Sequence, residues 1–365
     1  MKPKTLPIIF FLALSLALAV YWLPVRQIET ALAAPSACVA GPHSGAIAAD
    51  QEWCLIHSPH YITGGVTVNA GVTLTIQPGV VVYFNPGTTM TVNGTLNAAG
   101  TSDAGITITS SSGSPQPGDW GSISMETGSY GNLAYCDISY GGSPAGSSIG
   151  LHIQTSDMQV RHCRIHHAKG HPVSIQGVGI TPVLEDVEID HNLEYYPLRQ
   201  STIAQNPSYT NVWLHDNAVD ALWIPLSQVD RDVILDGSPT ALNGAPIYYE
   251  GGNVNAGITL TVTAGTTIKF GGNRTLNVLG GLIAEGAPAL PITFTSMSAS
   301  PLPGDWGGVI MTSSSRGRLA YCELSYGGAG GSGSIALGIQ TSDMQVRHCR
   351  IHHAKGHPVS IQGVG

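Results

Sequence analysis

Charge is what this chain has least of: only 10% of its 365 residues are Asp, Glu, Lys or Arg, and the formal balance is −8. A surface so poor in cations offers no footprint for nucleic acid or for an anionic membrane, and leaves neutral or cationic partners. Helical periodicity is missing too. After the amino-terminal segment no stretch sustains a 3.6-residue apolar rhythm, so hardly any helix is expected. Gly-rich stretches such as Gly327 to Gly333 lack a Lys-Ser or Lys-Thr ending and read as turns, not phosphate cradles. With so few charges the surface must be covered by Thr, Ser, Asn and the 46 glycines, a mixture that favours strands and tight turns.

What the chain does have is repetition. The passage IQTSDMQVRHCRIHHAKGHPVSIQGVG fills residues 153–179 and recurs letter for letter at 339–365, an offset of 186 residues. The same offset superposes AGVTLT at Ala70 on AGITLT at Ala256, PGDWG at Pro117 on PGDWG at Pro303, and LAYCDISYGG at Leu133 on LAYCELSYGG at Leu319. Self-similarity at a fixed period marks a stack of units that bury their apolar faces on one another. Within a unit, Val72, Leu74 and Ile76 alternate with Thr, and Pro78-Gly79, Pro86-Gly87 and Gly94 punctuate the strands that follow. Above this lies a longer interval. Cys136-Asp137-Ile138, Cys163-Arg164-Ile165, Val187-Glu188-Ile189 and Val212-Trp213-Leu214 start 27, 24 and 25 residues apart. One coil of a parallel β-solenoid fits each interval, with about three short strands per coil. Cys136, Cys163, Val187 and Val212 then form one inward column, and Ile138, Ile165, Ile189 and Leu214 a second. A propeller blade needs a longer interval, and a hexapeptide solenoid needs a six-residue rhythm that is absent.

The strings AGVTLTIQPGVVVYF (Ala70–Phe84), PGDWGSI (Pro117–Ile123) and LAYCDISYGG (Leu133–Gly142) resemble the right-handed parallel β-helix, pectin-lyase-like repeats of secreted bacterial surface proteins. The resemblance covers nearly everything after about Gly45. It implies an all-β, right-handed β-helix solenoid in an extracellular setting, here about one and a half copies of the 186-residue unit. The fold hosts lyases, hydrolases, epimerases, adhesins and stalks, so it does not fix the chemistry. No set of positions here matches the Asp-rich catalytic motifs of the lyase and galacturonase branches, and no catalytic residue is carried over.

The expected organisation is residues 1–33 as signal peptide or membrane anchor, 34–69 as an N-terminal cap region, 70–255 as the first unit and 256–365 as an incomplete second. Lys2 and Lys4, the apolar run from Leu6 to Leu23, and the small residues Ala31-Leu32-Ala33 carry the export reading. Cleavage and retention both place the body outside the cytoplasm. The second unit stops at Gly365, the equivalent of Gly179, which points to a fragment of a longer array or to end-on docking with another subunit. Six cysteines suit an oxidising compartment. A Cys38–Cys54 bridge is the expected disulfide, and the four cysteines of the repeat are expected to be buried free thiols.

If the inward columns are right, an outward grid follows: Tyr135, Asp137, Ser139; His162, Arg164, His166; Asp186, Glu188, Asp190; Asn211, Trp213, His215. Arg164 falls beside Glu188 and His162 beside Asp186, while His166 and His215 flank Asp190, as favourable cross-strand neighbours. Solubility of a long face accounts for such pairs without any ligand. A functional grid would be a glycan platform, in which Trp213 and Tyr135 offer ring faces framed by His162, Arg164, His166, Asp186, Glu188, Asp190 and His215. A weaker alternative is a metal held by His166, Asp190 and His191. Asp190 between two imidazoles is the candidate acid or base, although glycoside hydrolysis needs two suitably separated carboxyls. Asp119-Trp120-Gly121 and Asp305-Trp306-Gly307 read as structural turns. The second His cluster, His348, His352, His353 and His357, lacks the Asp and His neighbours of the first. Two function classes therefore stand. The chain is either an exported, non-catalytic cell-surface module, structural or glycan-binding, with no cofactor, or a polysaccharide lyase or hydrolase with its site on the outward face of residues 162–216.

Overall fold

The computed structural model describes residues 38–142, 149–330 and 334–363. The export segment, its apolar run and part of the 327–333 Gly stretch lie outside the described residues, among which no helix is long and apolar enough to cross a membrane. The body is a parallel β-solenoid. Each coil supplies three short strands, and every strand pair between coils is parallel and spaced by one coil of sequence. The coil Met158–Arg161, Arg164–His166 and His171–Ile175 lies on Tyr130–Ala134, Cys136–Ser139 and Ile149–Ile153. It is covered in turn by Val183–Glu185, Glu188–Asp190 and Leu198–Gln200. One wall runs as a seven-stranded sheet that ends at Ser208–Thr210, followed by a five-stranded sheet that begins at Val233–Leu235.

The two columns inferred from the 27, 24 and 25 spacings are present. Cys136, Cys163, Val187 and Val212 are buried, as are Ile138, Ile165, Ile189 and Leu214. Alternation along each strand sends their neighbours outward. Between strands the chain turns a corner through one left-handed residue. Tyr135, His162, Asp186 and Asn211 occupy the first corner of successive coils at φ of 48°, 52°, 52° and 51°, and Tyr140, His167, His191 and Asp216 occupy the second. Asn, Asp and His enter this region more readily than branched side chains do, which is why the corner column is polar.

Trp120 shows why the repeated turn is structural. It is fully buried, stacks on Phe84 at 4.3 Å and donates its indole N–H to the Ser139 carbonyl at 2.7 Å. Gly121 brings the backbone so close that a side chain would meet Thr89 and the Thr88 carbonyl. Trp306 repeats the arrangement on Phe270 and Ser325. At the junction of the units the four-residue helix Pro239–Leu242 takes the place of a strand above the corner at Asn211, accepting backbone bonds from Asn211 and Val212 at Thr240 and Ala241, both 2.8 Å.

Cys38 and Cys54 are bridged, tying the first described residue to the cap. The expectation of four free thiols in the repeat fails for the first unit, where Cys136 and Cys163 form a second disulfide across adjacent rungs. Stacking on consecutive coils put the two sulfurs face to face. Cys322 and Cys349 are free.

Candidate functional site

The outward grid assembles from three strands in register: Arg164 opposite Glu188 opposite Trp213, and His166 opposite Asp190 opposite His215. Its centre differs from an open platform. Asp190 is 0% exposed. Arg164 does not take its lateral neighbour Glu188 but reaches diagonally across one position to fork Asp190, with Nε donating to Oδ1 at 3.0 Å and Nη2 to Oδ2 at 2.5 Å. Nδ1 of His191, the corner residue, closes on the same Oδ2. Asn192 fixes this corner by donating to the Asp190 carbonyl at 2.8 Å and accepting from the Ala168 amide at 2.7 Å. Burial alone would raise the Asp190 pKa, but the hydrogen bonds from Arg164 and His191 outweigh it and hold the carboxyl below its ordinary value. The Arg164 pKa is raised in return, chiefly by the bond to Asp190.

Around this centre each polar group has a protein partner. His215 contacts Glu188 through Nε2 at 2.9 Å and Asp216 through Nδ1 at 2.8 Å. Burial lowers its pKa, yet those two carboxylates raise it overall and favour the doubly protonated ring. Trp213 lies against His215 with ring centroids 3.9 Å apart and is 51% exposed. His166 meets Asp137 at 3.1 Å through Nε2 and His167 at 2.6 Å through Nδ1. His162 faces Asp186 at 3.3 Å and stacks on Tyr135; Asp186 also accepts from Asn211 at 2.7 Å.

The suggested metal trio His166, Asp190 and His191 does not turn its ligand atoms to one point, because both ring nitrogens of His166 face other partners. A tighter set exists in Glu188, Asp190 and His215, whose ligand atoms lie within 4.8 Å of one another. Both Asp190 oxygens are already taken by the Arg164 guanidinium, so a fixed protein cation stands where an ion would neutralise the carboxylate.

A second feature of this surface went unread in the sequence. The loop from His191 to Pro197 turns onto the next wall and carries Tyr195 and Tyr196. There Ser174, Arg199, Trp223, Tyr248 and Lys269 stand one above another in register. The third strand of one coil, Leu222–Ile224, pairs at the junction with Ile247–Tyr249, which carries the column across both units. Trp223 lies nearly parallel to His171 (5.6 Å, 9°) and to Tyr196 (5.6 Å, 15°), and Tyr196 meets Tyr248 edge-on at 5.6 Å. The Arg199 guanidinium sits over Trp223 and the Lys269 ammonium over Tyr248, each at 5.5 Å. Burial lowers the Arg199 pKa and raises those of Tyr196 and Tyr248. Just past Tyr249, Glu250 lines a polar cavity of about 460 Å³ with Gln228, Asn253, Arg274 and Asn277.

In the second unit Glu323 stands where Asp137 stands and contacts His352 at 2.8 Å. His348 stacks on Tyr321 as His162 does on Tyr135.

No curated protein and no solved structure matches the chain. A family model described as a pectate-lyase like beta helix domain matches residues 47–189 and 231–336. Those spans cover more than half of the chain, include both units and take in Asp190's strand only through Ile189. The parallel coils described above are the architecture this match calls for, and the chain belongs to the family of pectate-lyase-like β-helix domains.

Proposed function

We propose that this chain is an exported, non-catalytic β-helix module that binds glycan along the aromatic surface flanking the His191–Pro197 loop. The observation that carries the reading is the state of Asp190. A catalytic acid or base must reach the substrate and exchange a proton near working pH. Asp190 instead is wholly buried, forked by Arg164 and held ionised. Glu188, Asp186 and Asp137 are each bonded to a neighbouring imidazole. The charged cluster thereby acts as a structural clasp across three coils. What it leaves at the surface is apolar ring area: Trp213 on one side of the loop, and Tyr195, Tyr196, Trp223 and Tyr248 on the other. Sugars present C–H faces to rings and hydroxyls to amides and charges, and the rings here stand beside a cavity rimmed by Gln228, Glu250, Asn253 and Asn277.

Export is supported by Lys2, Lys4 and the apolar run that follows them, and by two disulfides. The test is a glycan array probed with the full chain and with Trp223→Ala and Trp213→Ala. The reading expects a small set of bound glycans whose signal falls about tenfold or more when Trp223 is removed, in keeping with an aromatic contact of about 1.5 kcal/mol. Signal unchanged in both variants would remove the aromatic surface from the account.

A further inference from the structure

The cysteines of the two units differ in state but not in place. Cys322 and Cys349 follow Cys136 and Cys163 by the repeat offset. Their coils pair in the same register, Glu323 on Arg350 as Asp137 on Arg164. The first pair is a disulfide and the second pair is two thiols. The two thiols are in hydrogen-bonding contact with each other, so the second unit holds the reduced form of the bridge that the first unit holds oxidised.

The two sulfurs are not equivalent. Cys322 is 2% exposed, with its Sγ 3.1 Å from the Ala284 carbonyl. Cys349 is only half-buried and lies between the exposed Arg347 and Arg350. The hydrogen bond from Cys322 lowers the Cys349 pKa, and the same bond together with burial raises that of Cys322. A partly exposed thiolate beside cationic side chains is the reactive kind of cysteine, and a buried protonated neighbour is the kind that resolves an adduct.

We propose that Cys349 and Cys322 are a thiol–disulfide exchange site, with Cys349 the attacking and Cys322 the resolving residue, that takes a small anionic disulfide such as oxidised glutathione. The Cys349 thiolate attacks one sulfur of the oxidant. The glutathione S–S bond breaks, a Cys349–glutathione disulfide forms, and one glutathione leaves as thiolate and is protonated by solvent. Cys322 then gives its proton to solvent and attacks the Cys349 sulfur, which releases the second glutathione and closes the Cys322–Cys349 bond. Two protein thiols lose two electrons in total, and one glutathione disulfide becomes two thiols. Arg347 and Arg350 favour the carboxylates of the incoming disulfide.

The test uses the full chain, reduced, exposed to oxidised glutathione, alkylated and mapped by mass spectrometry. The expected product is a cross-linked peptide pair containing Cys322 and Cys349, lighter by two hydrogens than the free thiols. In Cys322→Ser the adduct should accumulate as one glutathione on Cys349, and in Cys349→Ser no glutathione should appear on Cys322. In the reduced chain at neutral pH, Cys349 should alkylate about tenfold or more faster than Cys322. The Cys136–Cys163 bridge is the internal control for oxidising conditions and folding. If it re-forms while Cys322 and Cys349 both remain alkylatable, or if glutathione settles on Cys322 in Cys349→Ser, the proposal is overturned.

Discussion

Replacing Arg164 with Met would leave the Asp190 carboxylate buried without the fork that neutralises it. Breaking a fully buried ion pair by removing one partner costs about 3–5 kcal/mol. Here Asp190 is wholly covered but the Arg164 side chain is 41% exposed, and His191 remains on Oδ2. Water therefore already screens one end, and the cost falls to about 2–3 kcal/mol. The sign with pH is definite. In the parent chain the Asp190 pKa lies below its unfolded value of 3.8, so its contribution is present above 3.8 and lost as pH falls through the lower folded value. In Arg164→Met burial dominates and the folded pKa moves above 3.8, so the penalty is greatest at neutral pH and shrinks as acid protonates the carboxyl. A long repeat array need not melt as one unit, so the assay is amide hydrogen exchange read at Arg164–His166 and Glu188–Asp190. Exchange there should quicken roughly 30- to 150-fold at pH 7, with strands before Ala99 unaffected. Adding Asp190→Asn to the variant should restore much of the loss, since neither partner is then left charged. Unchanged protection at these strands, or a loss of the same size at pH 7 and pH 4, would refute the clasp.

Three further outcomes follow from the fold. His43 is 7% exposed and stacked on Trp53 at 4.0 Å, with its pKa lowered to about 4 by burial and by His60. The unfolded state then binds the proton first, so cap stability is full above about 6.5 and falls by about 3 kcal/mol as pH drops toward 4; Trp53 fluorescence in mild denaturant should report it, and a flat response from pH 7 to 4.5 would contradict it. Trp120→Ala should cost about 3–5 kcal/mol in the first unit while protection around Trp306 stays unchanged by hydrogen exchange. Cys163→Ala removes a bridge spanning 27 residues and should cost about 3–4 kcal/mol on the loop-entropy model, read as lost protection at Cys136–Ser139 and Arg164–His166.

The inward columns were legible because a buried strand repeats its apolar pattern wherever the coil length is nearly constant, and Ile138, Ile165, Ile189 and Leu214 kept that pattern through intervals of 27, 24 and 25. The same spacing placed Cys136 above Cys163, and a bridge could have been read from it; treating the pair as packing was the error. The register of His166, Asp190 and His215 was legible too. The burial of Asp190 was not, because it depends on an Arg side chain reaching diagonally and on the left-handed turn at His191 folding its ring back over the carboxylate, neither of which a linear pattern encodes. The Arg199, Trp223, Tyr248 and Lys269 column escaped because it crosses the junction between units, where the wall shifts and the repeat offset gives no guide. Its intervals of 24 and 25 residues from Arg199 to Tyr248 match the coil length and were the available signal. The short helix at Pro239 replaces a strand at this same junction, where the repeat pattern is interrupted.

The account's central claim is that this surface holds glycan without cutting it. The most direct measurement takes the glycans bound on the array, incubates each in solution with the full chain, and follows the appearance of new reducing ends and of unsaturated products. The account expects every glycan to be recovered intact, from the parent chain and from Asp190→Ala alike. Product that accumulates with the parent chain and vanishes with Asp190→Ala would contradict it.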